Sequence, residues 1–217
     1  MKDWHATPVW IIQRNNLDRG FRGLIEWLQR AGMTDITILD NASTWPPLLE
    51  YFQTMKDVKL IHQSENLGHE VFWKLNYHLH QSGRFIITDP DVVPTPDCPL
   101  DLVYHMHQIA DQYAPAKVGP GLRIDNMHPN YFKREFQQDW EAQFWENPTP
   151  CEKGFEALLD TTFALYEPGW ERWPPAKCIR LAPPYLMNHI PWMEDSTVPN
   201  EEREFYKATC LPGINHC

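Results

Sequence analysis

The stretch RFIITDPDVVP, residues 84–94, carries the strongest signal in the chain. Residues 85–88 are apolar or β-branched, which is typical of a short buried strand. Two aspartates, Asp89 and Asp91, follow this strand with Pro90 between them. Carboxylates this close together repel each other unless a cation lies between them, although Asp-Pro-Asp is also ordinary turn chemistry. The stretch therefore predicts a buried strand that ends in a site for a hard divalent ion.

Strand-like and helix-like segments alternate along the residues that precede this stretch. Such alternation at this spacing favours an α/β fold with a mostly parallel central sheet and helices on both faces. The predicted strands are 9–13, 36–39, 58–62 and 85–88. The predicted helices are 17–31, 45–55 and 69–81, the last with Val71, Phe72, Leu75 and Leu79 on one face.

The C-terminal half of the chain is less regular. Many of the 20 prolines lie after residue 90, so long ordered loops are expected there. Helices are predicted at 100–113, 132–145 and 151–159, and extended segments at 117–125, 160–166 and 179–187. A length of 217 residues predicts one domain with one sizeable core.

Composition restricts the partners and the compartment. The formal charge of -10 and the pI of about 5.4 argue against a nucleic-acid-binding surface. The five cysteines are odd in number and widely spaced, which indicates reduced thiols. Residues 1–8 lack the apolar region of a signal peptide, and no apolar run approaches the roughly 20 residues that cross a bilayer. We therefore expect a soluble, cytoplasmic protein without a transmembrane segment.

The carboxyl ends of parallel strands meet at one edge of a sheet, and ligands of open α/β folds bind at that edge. The polar segments that follow the four predicted strands are 13–16, 40–43, 63–68 and 89–91. Because Asp89 and Asp91 lie in the last of these segments, the predicted architecture places both carboxylates beside a ligand. A divalent ion held there would attract a phosphorylated ligand that an acidic protein otherwise repels.

Two enzyme classes place an Asp-x-Asp pair after a buried strand. In haloacid-dehalogenase-like phosphatases the first aspartate is a nucleophile, which here would be Asp89. In GT-A glycosyltransferases the pair holds a metal ion against a sugar diphosphate. The phosphatase motif normally opens the fold, whereas three predicted strand–helix units precede Asp89 and no second acidic pair follows a later strand. Position therefore favours the second class.

Three motifs follow one another in the chain: TILDNAST (37–44), ENLGHEVFWKLN (65–76) and FIITDPDVVP (85–94). Together they resemble the GT-A nucleotide-sugar transferases, especially those similar to family-2 glycosyltransferases. The first resembles the second-strand signature of these enzymes, the second resembles the segment in which Asn-Leu-Gly precedes a helix, and the third resembles their metal motif. Three motifs in order are more specific than any one of them, and the likeness covers about 8–195.

The resemblance implies a GT-A-like single domain and a reaction. A sugar would move from a nucleoside-diphosphate sugar, with UDP-sugar as the leading donor, to a hydroxyl of a glycan or glycoconjugate acceptor. Mn²⁺ or Mg²⁺ is the implied cofactor. The nucleotide-binding part would cover about 1–95, and the part that binds the acceptor and completes the metal site would cover about 96–217.

The resemblance also implies roles for individual residues. The implied nucleotide contacts are Gln13, Arg14, Asp40, Asp89 and Lys74. The implied metal ligands are Asp89, Asp91 and His189, the last in the late segment NHIPW. The candidate contacts to donor or acceptor sugar come from residue chemistry and not from the matched motifs: they are Gly121, where glycine admits a close approach, the cation Arg123 and the aromatic Trp192. The base that deprotonates the acceptor hydroxyl in an inverting reaction would be Asp160, with Glu194 or Asp195 as second choices.

Several of these residues also have a purely structural interpretation. Asp40 can cap a helix, Lys74 can be a solvated helix residue, Gly121 can belong to a β-bulge, and Trp192 can be a core residue. Two alternative functions remain open at this point. One is a haloacid-dehalogenase-like phosphatase that uses Asp89, and the other is a non-catalytic nucleotide-sugar-binding module.

Overall fold

A mixed sheet forms the centre of the fold. Within the residues that the computed structural model describes, 3–149, 153–173 and 176–211, nine strands form one sheet. The strands are β1 Val9–Gln13, β2 Ile36–Asp40, β3 Lys59–His62, β4 Phe85–Thr88, β5 Val92–Pro94, β6 Lys117–Leu122, β7 Gly154–Glu156, β8 Ala164–Tyr166 and β9 Cys178–His189. The α-helices are α1 Phe21–Arg30, α2 Pro46–Thr54, α3 Val71–Lys74, α4 Leu102–Tyr113, α5 Arg134–Ala142 and α6 Glu201–Thr209.

The strand order is β3-β2-β1-β4-β8-β6-β9-β5, with β7 paired to β9 beside this path. The first four strands in this order are parallel, so that Gln13, Asp40 and His62 lie side by side at their carboxyl ends. Beyond β4 the sheet is mixed, because β8 runs antiparallel to both β4 and β6. The predicted α/β fold with a central sheet and an irregular C-terminal half is confirmed.

Side chains of the strands alternate between two hydrophobic layers, one on each face of the sheet. On β1, Val9 and Ile11 pack in the layer that contains α1, α2 and α4, whereas Ile12 packs in the layer that contains α3. On β4, Ile86 belongs to the first layer and Ile87 to the second. Burial of apolar surface in both layers holds helices on both faces, as predicted.

The predicted helix 69–81 is wrong in its extent. The α-helix covers only Val71–Lys74, and a separate 3-10 turn covers Tyr77–His80. Between them Asn76 takes a left-handed backbone conformation with φ of 58°, which stops the α-helix. The apolar face predicted for this helix consequently does not extend to Leu79, which is 66% exposed.

Two further elements differ from those predicted. The predicted helix 151–159 is wrong, because the described part of that segment forms β7, which pairs antiparallel with β9. Residues 150–152 lie outside the described residues. Helix α6 was not predicted, although Asn200 caps it by accepting a 2.9 Å hydrogen bond from the backbone N–H of Arg203. An Asn followed by acidic residues is the sequence signal that predicts such a helix start.

Two expectations, reduced cysteines and no transmembrane segment, apply to the described residues. Cys98, Cys178 and Cys210 form no disulfide bond, and Cys151 and Cys217 lie outside the described residues. No helix in these ranges combines the length and the apolar character needed to cross a bilayer.

Lys117 is a buried ammonium group that joins the strands of the mixed half to a loop. It is only 1% exposed, and its Nζ donates hydrogen bonds to the carbonyl of Leu159 and, over 2.8 Å, to the carbonyl of Arg172. Nζ also lies 5.0 Å from the ring centre of Tyr166 and 4.9 Å from that of Trp173. Burial lowers the pKa of Lys117 from its usual 10.5 to about 8, because desolvation disfavours the charged form.

This lysine makes stability depend on pH. The unfolded chain keeps the Lys117 proton up to the usual pKa, whereas the folded protein releases it near pH 8. Between about pH 8 and 10.5 the unfolded state therefore binds more protons, and stability rises with pH. We expect the free energy of unfolding of the wild type, minus that of Lys117→Met, to rise by up to about 3 kcal/mol across this window. Urea unfolding of both proteins at several pH values measures this difference, and a difference independent of pH would contradict the assignment.

Candidate functional site

A cavity of about 600 Å³ lies at the carboxyl edge of the parallel strands. Residues that follow each of these strands line it: Arg14 after β1, Asn41 after β2, Asn66 after β3, and Asp89 and Asp91 after β4. Other parts of the wall come from α5, from the segments 158–173 and 189–192, and from Tyr206 in α6. This is the edge at which the sequence predicted a ligand, and the volume suits a small-molecule substrate.

Asp89 is the centre of an acidic cluster in the cavity wall. Its Oδ2 accepts a 2.8 Å hydrogen bond from the hydroxyl of Thr161, and its backbone N–H donates to the carbonyl of the same residue. Enclosure by protein raises the pKa of Asp89 well above its usual range, and the negative charges of Asp91 and Asp160 raise it further. Carboxyl groups gathered in this way favour a bound cation, which relieves their repulsion.

His189 is brought to the acidic loop by strand pairing. β5 runs antiparallel to the end of β9, which places His189 opposite Val92. As a result, Nε2 of His189 lies 3.7 Å from Oδ2 of Asp91, and both residues line the cavity together with Asp89. In the described ranges, no group of three or more His, Cys, Asp or Glu side chains stands ready to hold a metal ion by itself. Carboxylates and imidazole are nonetheless ligand types that Mn²⁺ accepts, with substrate oxygens and water in its other coordination positions.

Gly20 fixes the position of the acidic loop. This residue precedes α1 and has a φ of 140°. A Cβ atom at this position would lie 2.6 Å from Cα of Asp91 and 2.8 Å from the carbonyl oxygen of Pro90. Only glycine permits both this backbone conformation and this close approach. The loop that carries both aspartates therefore rests directly on the backbone of residue 20.

Asp160 is oriented by an arginine. Its Oδ1 accepts 2.8 Å hydrogen bonds from Nη2 of Arg172 and from the backbone N–H of Thr161. Arg172 also lies 3.5 Å from a carboxylate oxygen of Glu70, so one guanidinium joins two acidic groups. The side chain of Asp160 is 44% exposed. The carboxylate is thus held in one orientation and remains accessible from the cavity.

The loops after β1 and β2 are tied together by hydrogen bonds beside the cavity. Nη1 of Arg14 donates to the carbonyls of Asn41 and Ala42, and Nη2 donates over 2.8 Å to the carbonyl of Thr209 in α6. Nδ2 of Asn41 donates in turn to the carbonyl of Gly68, over 2.9 Å. This network keeps the segments after β1, β2 and β3 in fixed positions around the ligand edge.

Helix α6 closes on the loop that follows β1. The carboxylate of Glu202 accepts hydrogen bonds from three successive backbone N–H groups, those of Leu17 (2.7 Å), Asp18 (3.0 Å) and Arg19 (3.3 Å). Hydrogen bonds to a charged acceptor are among the stronger ones in proteins. The last described helix therefore fixes a loop near the start of the chain.

No protein-family model and no curated protein matches the sequence. Solved structures do match. The chain is similar to the mannosyltransferase PcManGT from Pyrobaculum calidifontis in complex with GDP-Man and Mn²⁺, with a TM-score of 0.53 and 14% identity. It is also similar to GalNAc-T7 with UDP, GalNAc and Mn²⁺ (TM-score 0.54, 12% identity) and to S. aureus TarS (TM-score 0.54, 11% identity).

The chain has the GT-A fold of nucleotide-sugar glycosyltransferases. The three matches cover 86%, 85% and 84% of this chain, and 60%, 43% and 36% of the solved chains. The GT-A fold predicted from the three ordered motifs is confirmed, and the chain spans less than two thirds of each of these solved structures.

In this GT-A fold, Gln13 and Asp40 lie behind the cavity wall. They are 0% and 1% exposed, and neither lines the cavity. Oε1 of Gln13 accepts a 3.2 Å hydrogen bond from the N–H of Asn16. Asp40 accepts one from the N–H of Ser43 and lies 2.9 Å from Nδ1 of His62. In these positions both residues shape the loops at the ligand edge and do not face the cavity. Asp40 does so through a turn and does not cap α2, whose N-cap is Trp45.

Three other implied site residues also lie outside the cavity lining of the GT-A fold. Nζ of Lys74 donates over 2.7 Å to the carbonyl of Leu67. Arg123 forms a 2.6 Å ion pair with Asp125. Gly121 is buried where the pairing of β6 and β9 shifts register, an irregularity that fits its structural interpretation as part of a bulge. None of the three faces the ligand space.

Glu194 and Asp195, the second choices for the base, also lie outside the cavity lining. Glu194 forms ion pairs with Arg19 (2.6 Å) and Arg203 (3.4 Å). The pKa of Asp195 is lowered to about 2 by hydrogen bonds from the side chain of Thr197, from a neighbouring side-chain amide and from the backbone N–H of Thr197. A carboxylate with so low a pKa is a weak proton acceptor. Asp160 is therefore better placed for this role.

Trp192 lines the cavity but is only 5% exposed, and its ring centre lies 4.7 Å from that of His189. In this position it supports the imidazole from the protein side. Sequence patterns did not predict Thr161 or Arg172 as site residues, because their partners lie on other elements of the chain. The sequence feature that could have indicated Arg172 is the segment WERW, in which a cation lies between aromatic residues.

Proposed function

We propose that the protein is a metal-dependent glycosyltransferase, which moves a sugar from a nucleoside-diphosphate sugar to a hydroxyl group of an acceptor glycan. The observation that carries this proposal is that Asp89, Asp91, Asp160 and His189 all line one cavity at the ligand edge of a GT-A sheet. The solved complexes with GDP-Man and Mn²⁺ and with UDP, GalNAc and Mn²⁺ support a nucleotide-sugar donor. A UDP-sugar is the donor that we propose first.

Asp89, Asp91 and His189 would hold Mn²⁺ or Mg²⁺ in this enzyme. The bound ion would stabilise the negative charge that develops on the departing nucleoside diphosphate. Gly20 contributes indirectly, since its contact with the acidic loop keeps the backbone of Asp91 in place. The hydrogen bond from Thr161 similarly orients the carboxylate of Asp89.

Asp160 would accept the proton of the acceptor hydroxyl. Arg172 holds one of its oxygens at 2.8 Å, so the carboxylate keeps a fixed orientation while it faces the cavity. As the acceptor oxygen attacks the anomeric carbon, its proton moves to the carboxylate, and the bond from that carbon to the diphosphate oxygen breaks. This role belongs to an inverting reaction.

The two parts of the chain would divide the substrates between them. Arg14, Asn16, Asn41 and Asn66 line the end of the cavity formed by the first 95 residues, and their polar side chains suit a base and a ribose. The remaining part, about 96–217, supplies Asp160 and His189 and would bind the acceptor.

Thermal unfolding with nucleoside diphosphates and nucleotide sugars, each with and without Mn²⁺, tests the proposed function. A ligand present at 100 times its Kd stabilises a protein by about 2.7 kcal/mol, which raises the Tm of a chain of this size by about 5–10 °C. We expect such a shift for at least one nucleotide, and only when Mn²⁺ is present. Donor turnover is measured in parallel as release of the nucleoside diphosphate.

Other outcomes would favour other functions. A phosphoryl group trapped covalently on Asp89 would indicate a phosphatase. Metal-dependent binding of a nucleotide sugar without transfer to water or to any glycan would indicate a binding module. No shift with any nucleotide would contradict the proposal as a whole.

A further inference from the structure

Large apolar side chains are exposed inside the cavity, on the walls built by α5 and the segment 158–173. They are Phe136 (65% exposed), Trp140 (49%), Leu158 (63%) and Trp173 (51%), and together they form what we call the aromatic wall. Asp160 lines the same cavity. Exposed apolar side chains that cluster in a cavity usually mark a recognition surface.

Cation–π contacts involve one ring of the aromatic wall and the ring on which another packs. The guanidinium of Arg172 lies 5.1 Å from the ring centre of Trp173. Trp140 packs edge-on against Phe144 at 5.9 Å, and the guanidinium of Arg180 lies 4.1 Å from the ring centre of Phe144. These contacts restrict the rings of Trp173 and Phe144, and Phe144 in turn supports Trp140.

A buried ion pair links the separate elements of the aromatic wall. Arg180 on β9 and Glu141 on α5 pair at 2.6 Å, and their side chains are only 6% and 5% exposed. Nε of Arg180 also donates over 2.7 Å to the carbonyl of Leu158. Helix α5 and the segment that contains Leu158 therefore keep a fixed separation, which sets the width of the surface.

The chemistry around the aromatic wall favours an uncharged ligand with both polar and apolar faces. Apart from Glu141, which is buried and paired, the residues 133–142 carry two acids and two bases, in a protein of net charge -10. An anionic membrane surface would require an excess of Lys and Arg here. The π face of an aromatic ring is negative and attracts the C–H face of a sugar ring. Polar side chains for the sugar hydroxyls are close by, since Lys133 and Gln137 also line the cavity.

We infer that the aromatic wall is the acceptor subsite and that it binds neutral sugar rings of a glycan, which stack on Trp140 and Trp173. That the bound glycan is the acceptor rests on the proposed function. That the site binds carbohydrate is inferred from the aromatic wall itself. Trp173 directly follows Arg172, whose guanidinium holds Asp160 at 2.8 Å. A sugar ring on Trp173 therefore lies next to the proposed base. The subsite differs from the sugar contacts first expected at Gly121 and Arg123.

Titration of the full chain with neutral hexasaccharides tests the inference. The probes are maltohexaose, cellohexaose, mannohexaose and chitohexaose, without donor or metal, and binding is followed by calorimetry and by saturation transfer in NMR. We expect the wild type to bind at least one probe, and Trp140→Ala and Trp173→Ala to weaken that binding by about 10-fold or more each. Leu79→Ala is the matched control, because Leu79 is 66% exposed but lies outside the cavity lining.

Trp140→Phe keeps an aromatic ring, and we expect it to retain most of the binding that Trp140→Ala loses. Circular dichroism shows whether each variant is folded. The inference is overturned if the wild type binds none of the four probes, if folded Trp140→Ala and Trp173→Ala bind as the wild type does, or if Leu79→Ala loses as much binding. It is also overturned if the protein binds phosphatidylcholine vesicles through these tryptophans and binds no hexasaccharide.

The failures of the two proposals are distinguishable. Hexasaccharide binding through the aromatic wall, in a protein that no nucleotide stabilises, would remove the glycosyltransferase and keep the carbohydrate site. Mn²⁺-dependent nucleotide binding in a protein that binds no hexasaccharide would keep the enzyme and remove this subsite.

Discussion

We expect Asp91→Ala to abolish the Mn²⁺-dependent part of the proposed nucleotide binding and to lower the proposed sugar transfer by about 10³-fold, the loss typical of removing one group that stabilises transition-state charge. The reason is that Asp91 is the proposed metal ligand that lies beside both of the others, Asp89 and His189. Thermal unfolding with UDP or GDP, with and without Mn²⁺, measures binding, and release of the nucleoside diphosphate measures transfer.

Asp97→Ala is the control for this prediction. Asp97 lies six residues further along, is exposed, and does not line the cavity. The same change of charge is thus made outside the site, and we expect wild-type binding and transfer. An unchanged Mn²⁺-dependent shift in Asp91→Ala would remove the metal assignment even if transfer were lost.

We expect Arg180→Met to destabilise the protein by about 3–5 kcal/mol, because it leaves the carboxylate of Glu141 buried without its charged partner. The two groups lie 2.6 Å apart and are almost completely enclosed. The variant also loses the hydrogen bond to the carbonyl of Leu158. The free energy of unfolding in urea, compared with that of the wild type, is the measurement.

Two further variants show whether the loss of stability comes from the unpaired buried charge or from lost packing. Arg180→Met combined with Glu141→Met replaces the pair by apolar side chains, and we expect it to recover most of the lost stability. A double variant as unstable as the single one would show that the unpaired charge is not the cause. Lys177→Met removes one partner of the exposed Lys177–Glu156 pair and should change stability by less than about 1 kcal/mol.

The first half of the fold was predictable because its signals are local. β1 covers the predicted residues 9–13, and β4 covers the predicted 85–88. Apolar, β-branched segments that end in polar residues determine such strands without reference to the rest of the chain. The position of Asp89 and Asp91 at the ligand edge follows directly from the end of β4 and from the parallel order of its neighbours.

The second half of the site was not predictable in this way, since distant pairs build it. Arg180 finds Glu141 across 39 positions, and Lys117 reaches the carbonyl of Leu159 across 42. These pairs depend on the order β4-β8-β6-β9-β5, in which strands far apart in sequence become neighbours. Periodicity reports which face of an element is apolar, but it does not report which element will lie against it.

The carboxylate of Glu202 has a consequence for synthesis on the ribosome. Its hydrogen bond to the N–H group of Leu17 spans 185 positions in the sequence. The three backbone N–H donors therefore have no carboxylate acceptor until nearly all of the described chain has been translated. Such long-range contacts form late in folding. A nascent chain arrested before α6 emerges would carry the parallel strands but a poorly fixed loop after β1.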